Sequence, residues 1–184
     1  MRCSAVLLAG GKSSRMGRDK AFLEIAGEPL WQRQVATLRR LSPEQLMISG
    51  PRHQEWSENE IVEDALAEAG PLAGVAAALR NCVTPWLVVL AVDLPEMTTD
   101  FLRLLLALCQ DQKGVAPRTS EHFEPLAAVY PAACAGLAET ALREGDFSMQ
   151  SFVRHARAQE LLLERFLSDA ETVLFANLNT PANL

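Results

Sequence analysis

The sequence has few of the residues that build metal clusters or disulfide frameworks. Its four cysteines, Cys3, Cys82, Cys109 and Cys134, lie far apart and include no Cys-x-x-Cys pair. The three histidines make no His-x-x-x-His spacing either. This pattern gives no support to a structural zinc site. Because the residues after Met1 do not resemble a signal peptide, we expect four reduced thiols and a cytoplasmic location. A bound metal should then be a hard cation held by carboxylates.

Long apolar runs and an excess of basic residues are also missing. No run reaches the roughly 18 residues that a membrane helix needs. Lys and Arg number 17 against 23 Asp and Glu, which gives a net charge of −6. We therefore expect neither a membrane nor a nucleic acid as a partner, although a local basic site is compatible with this balance. With 184 residues, of which 49% are hydrophobic, the chain is predicted to form a single domain over residues 1–184.

Strand-like and helix-like segments alternate along the chain. The predicted helices are residues 30–41, 72–79, 99–109, 133–143 and 148–155. The predicted strands are residues 4–9, 45–49, 60–62, 86–92, a short one near 115, 126–130 and 173–178. This alternation predicts an α/β fold with a mainly parallel sheet, helices on both faces and a ligand site at the carboxyl ends of the strands.

A glycine-rich, basic loop follows the first predicted strand. Gly10 and Gly11 allow the backbone to turn tightly and to approach a ligand closely. Residues 12–20 then carry four basic residues against one acidic residue, a local charge of +3, namely Lys12, Arg15, Arg18 and Lys20 against Asp19. The concentration of charge indicates an anion site, in which backbone N–H groups hold phosphate oxygens and basic side chains neutralise them. The glycine spacings of the Walker A and Rossmann motifs do not fit.

An acidic residue follows the strongest predicted strand. Asp93 comes directly after the apolar run 86–92, at the end of the strand where open α/β sheets bind ligands. A carboxylate in this place can hold Mg²⁺, which keeps several waters and bridges substrate phosphates. An aspartate before Leu94 and Pro95 is also a common turn or helix-cap residue, and the residue type alone does not separate the two interpretations.

Seven short motifs occur in order along nearly the whole chain. They are LAGGKSSRMGRDK at 8–20, PLWQ at 29–32, RHQE at 52–55, ED at 63–64, GPLAG at 70–74, DLP at 93–95 and NLNTP at 177–181. The first is shared by several nucleotidyltransferases, and its combination with GPLAG and NLNTP is more specific. Together they resemble the molybdenum cofactor guanylyltransferase family. The resemblance implies a Rossmann-like three-layer α/β/α nucleotidyltransferase fold, with a nucleotide-binding half over residues 1–100 and a pterin-substrate half over residues 101–184.

The resemblance also implies roles for individual residues. Lys20 would neutralise the α-phosphate, Arg15 would face the outgoing phosphates, and Asp93 would be the Mg²⁺ ligand. Asn177 and Asn179 map to the pterin side of the site. The implied nucleotide contacts are Leu8, Ala9, Gly10, Gly11, Lys20, Asp64 and Asp93. One position departs from the family, because Ser49 stands where an asparagine is often found, and this bears on the choice of base.

The implied reaction is Mg²⁺-dependent transfer of GMP from GTP to the terminal phosphate of molybdopterin, with or without molybdenum. It releases pyrophosphate and gives the guanine dinucleotide form of the cofactor. Molybdoenzymes or their chaperones would be further partners as recipients of the product. The alternatives are a CTP-dependent molybdopterin cytidylyltransferase, a sugar-phosphate or phospholactate nucleotidyltransferase, and a non-catalytic carrier of nucleotide or cofactor. The presence of both Lys20 and Asp93 argues against the carrier.

Overall fold

The computed structural model describes residues 1–10, 20–63 and 69–178. Seven of the nine strands in this part of the chain form one sheet in the order β5-β4-β1-β6-β8-β7-β9. The strands are β1 (Cys3–Leu8), β2 (Glu24–Ile25), β3 (Glu28–Pro29), β4 (Gln45–Ser49), β5 (Glu60–Val62), β6 (Trp86–Ala91), β7 (Gly114–Arg118), β8 (Ala127–Pro131) and β9 (Leu162–Phe166). Only β8 runs antiparallel to its neighbours in the sheet, which confirms the mainly parallel arrangement. The remaining two strands, β2 and β3, pair as a small antiparallel hairpin.

Helices cover both faces of the sheet. They are α1 (Leu30–Arg39), α2 (Pro71–Asn81), α3 (Thr99–Leu108), α4 (Ala135–Arg143), α5 (Met149–Ala158) and α6 (Asp169–Thr172). Buried side chains of α1 and α3 join one core cluster, and those of α2, α4 and α5 join another. Side chains of β1 alternate between the two, with Leu7 in the first cluster and Leu8 in the second. The three-layer α/β/α fold is therefore confirmed.

The strands that carry the site end at the same edge of the sheet. Leu8, the last residue of β1, lies in register with Ser49 at the end of β4 and with Ala91 at the end of β6. Every residue of β1 and β6 is buried, because helices cover both faces of these central strands. The segments that follow the three strand ends are thereby brought together, although they are far apart in the sequence.

Two of the predictions about strands were incomplete or wrong. The strand predicted over residues 173–178 is absent, since Val173–Phe175 forms a 3₁₀ turn after α6. Ser168 and Glu171 form a capping box that begins α6. This helix-start signal outweighs the strand preference of the apolar run that follows it. The edge strand β9 was not predicted, because its sequence LLERF is short and carries two charged residues. The other predicted strands and helices are present with shifts at their ends.

Two further predictions, one on the cysteines and one on membrane-spanning helices, can also be compared with the structure. All four cysteines are unpaired, as expected. In the described ranges, no helix is long and apolar enough to cross a membrane.

Candidate active site

The start of the glycine-rich loop is bonded to both neighbouring strands. The N–H groups of Ala9 and Gly10 donate to the carbonyl oxygen of Ser49, at 2.8 and 3.0 Å. On the other side, the carbonyl of Leu8 accepts from the N–H of Val92 at 3.0 Å. The N–H groups of Ala9 and Gly10 therefore already have an acceptor in Ser49 and are not available to phosphate oxygens in this arrangement.

Two glycines allow this edge of the sheet to close tightly. A Cβ atom at Gly50 would lie 3.0 Å from the backbone nitrogen of Gly10. A Cβ atom at Gly74, in α2, would lie only 2.4 Å from the Oγ of Ser49. The side chain of Ser49 is thus directed toward α2, and the residue is 2% exposed. We conclude that Ser49 holds the start of the loop in place. Its carbonyl bonds to the loop, and its side chain packs against Gly74.

Lys20 is held by a short segment that packs on an aromatic cluster. It begins a 3₁₀ turn, Lys20–Phe22, whose middle residue Ala21 is fully buried. The ring of Phe22 lies 4.8 Å from the ring of His53 and stacks 5.9 Å from that of Trp56, measured between centroids. Because Trp56 is itself fully buried, this packing fixes the backbone from which the Lys20 side chain extends.

Lys20 and Asp93 meet at the edge where the strands end. The Nζ atom of Lys20 lies 3.5 Å from Oδ2 of Asp93, and each side chain is 26% exposed. The two charges are accessible to a ligand and lie beside the turn at Leu8, since Val92 bonds to the Leu8 carbonyl. Side chains that lie far apart in the sequence therefore form one polar site.

The backbone around Asp93 is held from two directions. The Nε2 of Gln34, a fully buried residue of α1, donates to the carbonyl of Leu94. The carbonyl of Asp93 itself accepts from the N–H of Leu178 at 3.2 Å. Leu178 follows Asn177, so the segment with the predicted pterin contact reaches the turn that carries Asp93. Neither of these two hydrogen bonds was predicted from the sequence, because nothing local to Gln34 or Leu178 indicates them.

The donor set of this site suits a magnesium ion better than a structural metal. Among the described residues, no group of three or more His, Cys, Asp or Glu side chains is placed to hold a metal. Mg²⁺ in proteins commonly binds one or two carboxylates, and waters and substrate phosphates complete its coordination. The partly accessible carboxylate of Asp93 fits that pattern, whereas a structural zinc ion needs four protein ligands.

The structure brings the described candidate residues to one edge of the sheet. Those at this edge are Leu8, Ala9, Gly10, Lys20, Asp93 and, through its neighbour Leu178, Asn177. Asn177 is exposed to solvent. The candidates Gly11, Arg15, Asp64 and Asn179 lie outside the described residues.

Comparison with known proteins identifies the family. A model of the MobA-like NTP transferase domain matches residues 5–161 of the chain. The chain belongs to this family. It is therefore a nucleotidyltransferase, and the matched residues of the MobA-like domain include the loop at Leu8, Lys20 and Asp93.

Individual relatives match almost the whole chain. A protein of Opitutus terrae named probable molybdenum cofactor guanylyltransferase is 40% identical over 183 residues, covering 97% of this chain and 91% of that protein. The molybdenum cofactor guanylyltransferase of Pseudomonas paraeruginosa is 36% identical over 193 residues, with coverage of 97% and 91%. Both matches extend past the end of the MobA-like domain, into the part of the chain that contains Asn177.

Solved structures share the fold. The molybdopterin-guanine dinucleotide biosynthesis protein A of Archaeoglobus fulgidus has a TM-score of 0.75 and 25% identity, covering 98% of this chain and 94% of that one. A 2-C-methyl-D-erythritol 4-phosphate cytidylyltransferase of Thermus thermophilus has a TM-score of 0.71 at 15% identity, covering 100% and 95%. The second likeness concerns the fold alone, and it is consistent with the nucleotidyltransferase architecture of the MobA-like family.

Proposed function

We propose that this protein is a molybdenum cofactor guanylyltransferase. It transfers GMP from GTP to the terminal phosphate of molybdopterin, with or without molybdenum, and releases pyrophosphate. The proposal is supported by relatives of that name that match nearly the whole chain. The structural observation that supports it is the approach of Lys20 to Asp93 beside the turn at Leu8, because a cation and a carboxylate are the groups that a nucleotide's phosphates and their metal ion would require.

The nucleotide base is proposed to lie against the turn formed by Leu8, Ala9 and Gly10. The N–H groups of Ala9 and Gly10 are already bonded to Ser49, so the base is proposed to meet carbonyl oxygens of the turn rather than these N–H groups. Carbonyl oxygens accept hydrogen bonds, and guanine presents two adjacent donors, N1–H and the N2 amino group, whereas cytosine presents one, its N4 amino group. The turn therefore favours guanine, and the short side chain at Ser49 need not reach the base for this choice.

Lys20 and Asp93 are proposed to act on the phosphates. Lys20 would leave Asp93 and bind an α-phosphate oxygen, where negative charge develops during the transfer. Asp93 would hold the Mg²⁺ ion, which would supply positive charge to offset that of the nucleotide's phosphates. Following the family pattern, Arg15 would neutralise the outgoing pyrophosphate, and Gly11 and Asp64 would contact the nucleotide.

No covalent enzyme intermediate is required by this mechanism. The attacking group is the terminal phosphate of molybdopterin, which is already anionic and needs no base to activate it. The chain's contribution is to align that phosphate with the α-phosphate of GTP and to offset the charge that accumulates between them. Asn177 and Asn179 are proposed to bind the pterin, so that residues 1–100 hold the nucleotide and residues 101–184 hold the acceptor. The product would pass to molybdoenzymes or their chaperones in the cytoplasm.

The function is tested by following α-labelled GTP and CTP in parallel with purified protein, Mg²⁺ and molybdopterin. We expect a labelled dinucleotide and pyrophosphate from GTP alone, and no product when a chelator removes Mg²⁺. Product from CTP alone would identify the cytidylyltransferase alternative and leave the roles of Lys20 and Asp93 unchanged. Binding of GTP without product from either nucleotide would contradict the proposal and favour the carrier.

A further inference from the structure

The segment that reaches Asp93 is the end of the described chain. We call residues 169–178 the C-terminal segment; it comprises α6, the 3₁₀ turn Val173–Phe175 and the three residues after it. Its last described residue, Leu178, is 7% exposed and donates its N–H to the carbonyl of Asp93. The position of the Asp93 backbone therefore depends on where this segment docks.

The C-terminal segment cannot hold this position by its own secondary structure. Its only helix, α6, has four residues, which is far shorter than an isolated helix needs for stability in water. The segment must therefore be held by contacts with the rest of the protein. One of these is aromatic: Phe175, 8% exposed, packs edge-on against Phe101 of α3, with 5.5 Å between the ring centroids.

A second contact is an ion pair that joins the segment to the sheet. Arg165 of β9 donates two hydrogen bonds to the carboxylate of Glu171, and the two side chains are only 20% and 24% exposed. The same guanidinium lies over the ring of Phe101, with 5.2 Å from Cζ to the ring centroid. Glu171 also accepts from the backbone N–H and the hydroxyl of Ser168, at 2.9 and 2.8 Å. Arg165 is thus in direct contact with Glu171. It also stacks on Phe101, the ring against which Phe175 packs.

We propose that Arg165 and Glu171 are positioning residues for the transfer reaction. Their ion pair, stacked on Phe101, docks the C-terminal segment so that the Leu178 amide holds the backbone of Asp93 and Asn177 stands beside the acceptor. This inference rests on the proposed function, since it assumes that Asp93 holds the cation and that Asn177 faces the pterin. Loosening the pair should affect the acceptor and the Asp93 carboxylate, and should leave the base site at Leu8–Gly10 largely intact.

The test compares Glu171→Gln and Arg165→Met with a matched control, Glu44→Gln. Glu44 also forms two hydrogen bonds with an arginine, Arg2, but this pair is exposed and lies at the amino end of β1, away from the site. Glu171→Gln is the milder variant, because glutamine keeps the size and the capping role of the glutamate. Each variant is examined by native-state hydrogen exchange of the Leu178 amide, by equilibrium binding of GTP, and by kinetics with GTP and molybdopterin.

For Glu171→Gln and Arg165→Met, we expect the Leu178 amide to exchange at least about tenfold faster than in the wild type. We expect kcat to fall by about 10- to 100-fold, the range seen when partners behind a metal ligand are removed, and KM for molybdopterin to rise. The dissociation constant of GTP should stay within about twofold, and Glu44→Gln should match the wild type in every measurement.

Three results would overturn the inference. These are unchanged exchange of Leu178, faster exchange with unchanged kcat and KM, and a loss of GTP affinity as large as the loss of turnover. A wild type that makes no product from GTP would refute the proposed function instead. In that case the exchange rates still decide whether Arg165 and Glu171 dock the segment on Asp93.

Discussion

Lys20 and Asp93 form a loose ion pair, with 3.5 Å between Nζ and Oδ2. This separation is longer than that of a well-formed charge-assisted hydrogen bond. Both side chains remain partly accessible, so the pair contributes little to the stability of the fold, on the order of 0–1 kcal/mol. Under the proposed function, an entering nucleotide would separate the two charges, and a phosphate oxygen and a cation would become the new partners of Lys20 and Asp93.

Replacing Lys20 should slow the chemical step more than it weakens binding. We expect Lys20→Ala to lower the single-turnover rate with bound GTP by at least about 100-fold, because the removed charge acts mainly in the transition state. The affinity for GTP should fall by less than about tenfold. Lys113→Ala is the matched control, since Lys113 pairs with Glu160 at the opposite end of the sheet. An unchanged single-turnover rate would remove Lys20 from the mechanism.

Replacing Asp93 should abolish turnover and spare the fold. Asp93→Asn keeps the shape of the side chain and removes the charge that would hold Mg²⁺, so we expect turnover to fall more than about 100-fold at any Mg²⁺ concentration. The free energy of unfolding in urea should change by less than about 1 kcal/mol, because the ion pair is partly exposed. Asp100→Asn, at a side chain that is 92% exposed, serves as the control. Wild-type activity in Asp93→Asn would refute the assignment.

A methyl group at Gly74 should disturb the turn formed by Leu8, Ala9 and Gly10. The added Cβ would lie 2.4 Å from the Oγ of Ser49, so we expect Gly74→Ala to cost about 1–3 kcal/mol of stability and to weaken GTP binding. At Gly136, in α4, a Cβ would meet nothing within 4 Å, so Gly136→Ala should be neutral or slightly stabilising. The stability of both variants is measured by urea denaturation. Adding Ser49→Ala to Gly74→Ala should recover part of the loss, and a purely additive double variant would show that the clash is elsewhere.

The carboxylate of Glu171 should make stability depend on pH in the acid range. Hydrogen bonds from Arg165 and Ser168 lower its pKa to about 2 in the folded protein, whereas an unfolded glutamate has a pKa of about 4.3. Because the folded pKa is the lower one, the carboxylate stabilises the fold above pH ~4.3, and this contribution is lost as the pH falls toward 2. We expect the free energy of unfolding of Glu171→Gln to decline less between pH 6 and 3 than that of the wild type.

The same experiment has an internal check. Arg165→Met removes the principal cause of the lowered pKa at Glu171, so it should flatten the pH dependence in the same way. The double variant should then add little to either single change, because both remove one interaction. A full wild-type pH dependence in Glu171→Gln would show that other carboxylates account for the loss of stability in acid.

Much of the site followed from local patterns. The apolar runs before Gly10 and Asp93 predicted buried strands, and parallel strands bring their carboxyl ends to one edge, so a ligand site was expected there. That Lys20 and Asp93 both belong to this site was implied by the family resemblance, and the structure brings the two side chains together. The edge strand Leu162–Phe166 was not predicted, because its sequence lacks such an apolar run. Its two charged residues, Glu164 and Arg165, break the apolar pattern, and they pair with Arg118, Arg157 and Glu171, of which Arg118 is far away in the sequence.

The sequence by itself determined the alternation of strands and helices, the glycines at the turns, the order of the family's motifs and the charges available for phosphate chemistry. Only the tertiary structure decided that the Ala9 and Gly10 amides bond to Ser49 and that the Leu178 amide bonds to Asp93. The physical reason is that a buried N–H must find an acceptor, but which acceptor it finds depends on strand register and helix packing. Those are set by the whole core, and no short stretch of sequence contains them.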